Sequence, residues 1–525
     1  MKRAAIFWGI TASALLLASC ADPQPAGIPE ELREIMRANR EIAIPPRHPG
    51  LGAALQSFMT PNLTEETDAR IAAILAQQPV NWNTFRQIGM RAVSGTTHLN
   101  ALLSREDLAE DVCFLFDLLR YGYVAYQYFG GDEVFLPLRD SMLEQLADRS
   151  EPLQVSAFLH QILAPAFRGA IADNHFQIHN ITFGATSYIA RMNNDFVIRR
   201  SGDGFATEID GASYRILETA LRCGTPVDAI LPTLTEEGEF AFAFGRLTAA
   251  NDPDAWEIAV LLECAETGEA RSRAVSLAQL SGYHPPGGLS RDWRPTVREA
   301  GGATIMANRS FSLPDIDTTS AQQELFRLGR ELSDRPVLIL DLRGHAGGVI
   351  GLGAAWLNGY VGVGQRLNHR SALFENLRLR SATQAELLRQ WHPDAARQIL
   401  SPAWVETSRF SPPSALISNE NLVIVLIDRQ VSSAGDLFVG YLRQLENALF
   451  VGTNTHGNFF AAYFVRTILP RSGLDVIFGT ELSVRPDLSQ FEGVGFLPDL
   501  WVPPGESLER ALRFIERYFS AANLP

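Results

Sequence analysis

Pro336-Val337-Leu338-Ile339-Leu340-Asp341-Leu342-Arg343-Gly344-His345-Ala346-Gly347-Gly348 passes from five apolar residues through an aspartate into a glycine-rich loop. An unbroken apolar run of this length fits a strand covered on both faces. Leu422 to Ile427 is a second such run, ending at Asp428. A loop follows, and then Leu437, Phe438, Tyr441, Leu442 and Leu445 recur at the spacing of one apolar helix face. That spacing predicts a helix from about Asp436. Ala448 to Gly452 reads as a further strand. The alternation from Thr304 onward predicts an α/β fold built on a parallel sheet.

Upstream the pattern changes twice. Residues 28–175 read as mainly helical. Ser104 precedes Glu106 and Asp107, an acidic helix start, and Leu108, Val112, Leu115 and Leu119 follow at helical spacing. Another helix is expected near Val155 to Ala166. Residues 176–290 carry short runs such as Phe196-Val197-Ile198 and Trp256 to Leu262, broken by Gly, Asp and Asn. These read as small strands and turns. Within them, Cys223-Gly224-Thr225-Pro226-Val227 and then Asp228-Ala229-Ile230-Leu231 are weakly similar to the turn and helix of a PDZ domain. Residues 281–303 are rich in Gly and Pro and read as a linker. The expected core runs over about 300–520.

The first residues read as an export signal. Lys2 and Arg3 precede a nearly apolar run from Ile6 to Leu17. That run is shorter than the ~20 residues that cross a bilayer. Leu17-Ala18-Ser19-Cys20 resembles the lipobox of bacterial lipoproteins, which implies cleavage after residue 19 and lipidation of Cys20. Residues 20–27 then form a tether. The expectation is a lipid-anchored protein of the cell envelope, facing the periplasm or the exterior.

The 525 residues carry a net charge of −14, which argues against a nucleic-acid partner. Cys113, Cys223 and Cys264 show no C-x-x-C spacing and no His cluster, so no zinc site is expected. Cys223 and Cys264 share the β-rich region, where a disulfide and two buried thiols are both open.

Four stretches could carry chemistry. Val431-Ser432-Ser433-Ala434-Gly435-Asp436 lies between a buried strand and a helix start. Unpaired amides there can hold an oxyanion while a serine attacks, although serine at such a place is commonly just a cap. The loop at Gly347-Gly348 lets backbone approach a ligand closely. Asp173-Asn174-His175 supplies an imidazole, the side chain poised near neutral pH. Glu492, in Phe491-Glu492-Gly493-Val494-Gly495-Phe496-Leu497-Pro498-Asp499, supplies a carboxylate able to orient an imidazole.

Taken together, these stretches resemble the tail-specific (C-terminal-processing) serine peptidases and the tricorn core peptidase. Asp341-Leu342-Arg343 with Gly347-Gly348 is similar to their D-L-R-x-N-x-G-G loop, and Ser433-Ala434-Gly435-Asp436 to their S-A-x-E turn. Val451-Gly452-Thr453-x-Thr455-x-Gly457 and the closing segment to Asp499 follow in the family's order. Ser104 to Leu119 resembles the lead-in of the tricorn-like branch. The resemblance implies a ClpP/crotonase-like core and an acyl-enzyme endopeptidase that acts on peptide or protein substrates without metal or cofactor. It implies Ser433 as nucleophile, His175 as base, Glu492 as its orienter, and the Gly347 and Ala434 amides as oxyanion hole. The Ser-Lys style of the family would place its lysine at Asn458. Lys2 is the chain's single lysine and leaves with the signal, so the Ser-His-Glu style is expected.

His345 stands where that family has Asn, and Asp436 where it has Glu. His345 and His456 are rival bases. A catalytically weak or inactive scaffold that binds peptide or lipid is the alternative reading of the same fold. An α/β-hydrolase esterase ranks last, because the chain has no G-x-S-x-G elbow.

Overall fold

The computed structural model describes residues 28–41, 69–73, 76, 99–202, 204–220, 229–280, 282–284, 292–313, 316–362, 377–383, 398–401, 404–409, 416–458, 461–484 and 492–519. The signal segment with Cys20 lies outside the described residues. So does Cys223, and with it the question of pairing to Cys264.

The two apolar runs are neighbouring parallel strands, Val337–Asp341 and Leu422–Ile427, paired Leu340 to Val425. The sheet order is Thr296–Ala300, Ala303–Ala307, Val337–Asp341, Leu422–Ile427, Ala448–Gly452 and Leu500–Trp501. Every pairing after the first is parallel. Strand side chains alternate between faces, and here they fill two different cores. Leu338, Leu340, Val423, Val425 and Ile427 pack with Trp356, Phe438 and Leu442. Ile339, Leu422, Ile424 and Leu426 pack with Leu32, Met36, Ala511 and Phe514. Helices thus cover both faces, which is why the strands are apolar without interruption. On the first face Thr318–Leu332 is capped by Asp317, whose carboxylate accepts the Ser320 N–H at 2.9 Å. Its Gly329 crosses Gly351–Tyr360 so closely that a Cβ would lie 2.1 Å from the Trp356 carbonyl oxygen.

Part of the expected linker is sheet. Thr296–Ala300 pairs antiparallel with Ala303–Ala307. Gly301 and Gly302, at φ 55° and 77°, make the tight turn between them. Two consecutive positive φ values are what a two-residue hairpin demands, and glycine meets them without strain. The Gly-Gly pair that reads as linker is therefore a hairpin turn.

The helical region holds Glu30–Glu41, Arg105–Gly122, Gly131–Ala147 and the stretch Val155–Phe167. Ser104 caps the second of these by accepting the Asp107 N–H at 3.1 Å. This region shares its core with the region expected at 300–520: Phe167 and Phe176 sit in one apolar cluster with Val465, Val476 and Phe478. The join is a sheet in which Gln177–Ile178 pairs with Asp475–Val484, itself paired to Ala461–Ile468. Glu30–Glu41 is held against the parallel sheet. Arg40 donates to the carbonyls of Leu445, Glu446 and Ala448, and Asn39 donates to Asp499.

Tyr188 to Gln279 form an antiparallel sheet, nine-stranded among the described residues. Ile230 and Leu231, expected in a helix, lie in the strand Ile230–Leu234 paired with Phe240–Ala249. Three β-branched residues in Ile230-Leu231-Pro232-Thr233-Leu234-Thr235 favour that outcome.

Candidate active site

Ser433 closes the loop between Leu422–Ile427 and the helix Ala434–Leu442. Its backbone sits at φ 56° and ψ −119°, a region L-residues rarely adopt. Holding a non-glycine residue there costs about 1–3 kcal/mol, and such strain concentrates at functional sites. Ala434 is the first helical residue, where the backbone N–H has no intrahelical acceptor.

Gly347 lies against this turn. A Cβ on it would stand 2.8 Å from Ser433 Cβ and 3.3 Å from the Ala434 nitrogen. The glycine is therefore required by contact as well as by its φ of 89°. The direction of its amide differs from the expectation, for it donates to His345 Nδ1 at 3.1 Å rather than facing the serine. His345 is fully buried beneath the turn, and its carbonyl accepts the Ser432 N–H at 3.0 Å. Burial depresses its pKa to about 3, so the ring is neutral.

Two buried aspartates that are not part of the expected triad hold the loops in place. Asp428, at the end of its strand, accepts from the backbone N–H groups of Gly344, Gln430 and Tyr283. It thereby ties the glycine loop to the turn that carries Ser433. Asp436 accepts from Gly457 at 3.1 Å and Asn458 at 3.0 Å, fixing the loop after Ala448–Gly452 to the first turn of the helix Ala434–Leu442. Burial raises its pKa to about 6, against the pull of those hydrogen bonds. The signal for both was a polar residue at the edge of an apolar element.

His175 comes from the turn before Gln177–Ile178. Its backbone N–H donates to the buried Asp173, whose other oxygen accepts from Tyr123. Its ring lies on Phe464, with centroids 4.2 Å apart. Glu492 is 3% exposed and accepts the neighbouring Asn174 N–H at 2.8 Å. Asn174 also donates to the Gly457 carbonyl at 3.3 Å, so the segment touches the loop that Asp436 anchors. Among the described residues His175 makes no hydrogen bond to Ser433 or Glu492, and its Nδ1 is buried without a partner. Burial, and after it the nearby His456, lowers its pKa to about 3. His456 donates its backbone N–H to Val431, and its pKa is lowered to about 4 by burial and then by Arg429. The guanidinium of Arg429 donates to the carbonyls of Thr455 and His456.

Gly347 thus lies close beside Ser433 and Ala434, with no room for a side chain between them. His175 and Glu492 are joined to them through Asn174, Gly457 and Asp436. Among the described residues no cluster of His, Cys, Asp and Glu is arranged to hold a metal.

Residues 309–502 match the sequence model described as peptidase family S41. No curated protein sequence matches the chain. Among solved structures, mature CPAF is 16% identical with a TM-score of 0.39, over 80% of this chain and 97% of that one. The photosystem II D1 C-terminal processing protease is 14% identical with a TM-score of 0.34, over 78% and 97%. The tricorn protease is 13% identical with a TM-score of 0.31, over 77% of this chain and 35% of that one.

Proposed function

From a chain that carries a peptidase family S41 domain over residues 309–502, we propose a serine endopeptidase working through an acyl-enzyme. The single observation that supports it most is the strained backbone of Ser433, set at a helix start with Gly347 packed against it. We assign the core to the ClpP/crotonase type.

In this mechanism Ser433 Oγ attacks the scissile carbonyl carbon and His175 takes the hydroxyl proton. The amides of Ala434 and Gly347 hold the oxyanion. Collapse breaks the C–N bond, and the leaving amine takes the proton from His175. Water then attacks the ester, giving its proton to the same imidazole, and Ser433 is released with a carboxylate product. Glu492 orients the ring and favours its protonated form. Substrate has to bring His175 into line with Ser433, as catalytic hydrogen bonds commonly tighten only in the complex.

Peptide release from an unfolded protein, followed against pH, tests this reading. A base with the ordinary histidine value of 6.5 would be protonated and lose more than about tenfold of its rate by pH 5. A histidine whose pKa is depressed to about 3 stays neutral at pH 5, whereas Asp436, with its pKa near 6, is protonated over the same range, so a flat rate from pH 8 to pH 5 is expected in Asp436→Asn, which removes that titration. A tenfold fall centred near 6.5 that persists in Asp436→Asn would contradict His175 as base in this environment. The missing hydrogen bond between His175 and Ser433 favours a second reading, a scaffold that binds peptide or lipid without cutting. It predicts no release at any pH.

The envelope location is part of the proposal and rests on Leu17-Ala18-Ser19-Cys20. Cells fed a clickable fatty acid are expected to label the chain, and Cys20→Ala to remove the label. An undiminished label in that variant rules out the anchor.

A further inference from the structure

The oxyanion loop is held shut by side chains the proposed reaction does not use. Gly347 has a single N–H, and it points at His345 Nδ1. A ring nitrogen that accepts carries no proton, so the proton of this neutral imidazole is on Nε2. Nε2 is buried with no partner among the described residues. Phe311 stands edge-on to the ring, its centroid 4.4 Å away. The other side of the same peptide is held as well, for Ser432 Oγ donates to the Ala346 carbonyl at 3.4 Å. These two bonds set the plane of the Ala346–Gly347 peptide with its N–H turned inward.

We propose that His345 is a positioning residue that stores the Gly347 amide, so that the resting site offers the Ala434 N–H alone to an oxyanion. Rotation of the Ala346–Gly347 peptide completes the hole. This rests on the peptidase reading above. Gly347 lies so near the turn that a Cβ on it would stand 2.8 Å from Ser433 Cβ and 3.3 Å from the Ala434 nitrogen, so rotation without translation re-aims its N–H toward them. Gly347 and Gly348 sit at φ 89° and 131° and lack the Cβ that would resist the turn. Rotation breaks the bond to Nδ1 and the bond from Ser432, and it replaces them with one bond to the developing oxyanion. After it the Ala346 carbonyl faces the imidazole. That state leaves the carbonyl beside the Nδ1 lone pair, so it is held only while an oxyanion accepts the Gly347 N–H.

The test is the rate of fluorophosphonate labelling of Ser433 in the full chain, resolved into reversible binding and the covalent step. His345→Phe keeps a ring in the cavity and removes the acceptor. The buried Gly347 N–H then has no inward partner, and the covalent step is expected to accelerate about tenfold, the worth of one such hydrogen bond, with binding unchanged. His345→Asn keeps an acceptor two residues before the amide, as in an Asx turn, and is expected to accelerate less. An unchanged or slower covalent step in a folded His345→Phe protein overturns the proposal. Should that variant not fold, Ser432→Ala releases the other side of the peptide and decides in its place: acceleration supports the latch, and an unchanged rate overturns it. No adduct on Ser433 in any form defeats the peptidase reading itself, and the latch with it. An adduct with equal rates defeats the latch alone.

Discussion

Ser433→Ala is expected to lower peptide hydrolysis by about a millionfold, the scale seen when an activated serine is removed from a working triad. The fold is expected to survive. Alanine bears the same Cβ at the same strained φ of 56°, so the backbone cost is unchanged. The hydroxyl makes no hydrogen bond among the described residues, so its removal strands no buried partner. Stability should move by no more than about 0.5 kcal/mol, as for substitutions that break no specific feature. The measurement is kcat on a peptide substrate alongside thermal unfolding. Full activity in the folded variant would remove Ser433 from the chemistry.

His175→Ala is expected to lower kcat by about ten-thousandfold or more, because the serine loses its proton acceptor while the oxyanion amides remain. Nδ1 has no partner to strand, while the ring also meets the Ala461 backbone and Phe464, so kcat is compared with thermal unfolding of the same variant. The control is His456→Ala. That imidazole is also half-buried and neutral, with its pKa near 4, but its backbone carries the loop contacts to Val431 and Arg429. Those contacts survive the substitution, so the expected loss is under about tenfold. A large loss in His456→Ala with a harmless His175→Ala would move the base to His456.

The parallel core was legible because each strand is buried on two faces, which leaves no polar interruption to obscure it. The turn at Ser433 was legible as the link between such a strand and an amphipathic helix. The hairpin at Gly301-Gly302 was not, since two glycines in a row mark a linker and a tight turn alike. Nor was the shared core of Phe167, Phe176 and Phe478, which depends on pairing between residues 177–178 and 476–477 that local periodicity cannot encode. In the site, residue types pointed to Ser433, His175, Glu492 and Gly347. The direction of an amide is a backbone torsion, however, and no residue letter records that the Gly347 N–H faces His345. What Asp428 and Asp436 hold was hidden for a related reason: their partners are backbone N–H groups, which every residue but proline carries.

The most direct test of the central claim is fluorophosphonate labelling of the purified full chain in detergent, with the adduct located by peptide mass mapping. The account predicts one adduct, on Ser433, that is lost in His175→Ala. Labelling at another residue, or labelling of Ser433 that is undiminished without His175, would contradict it.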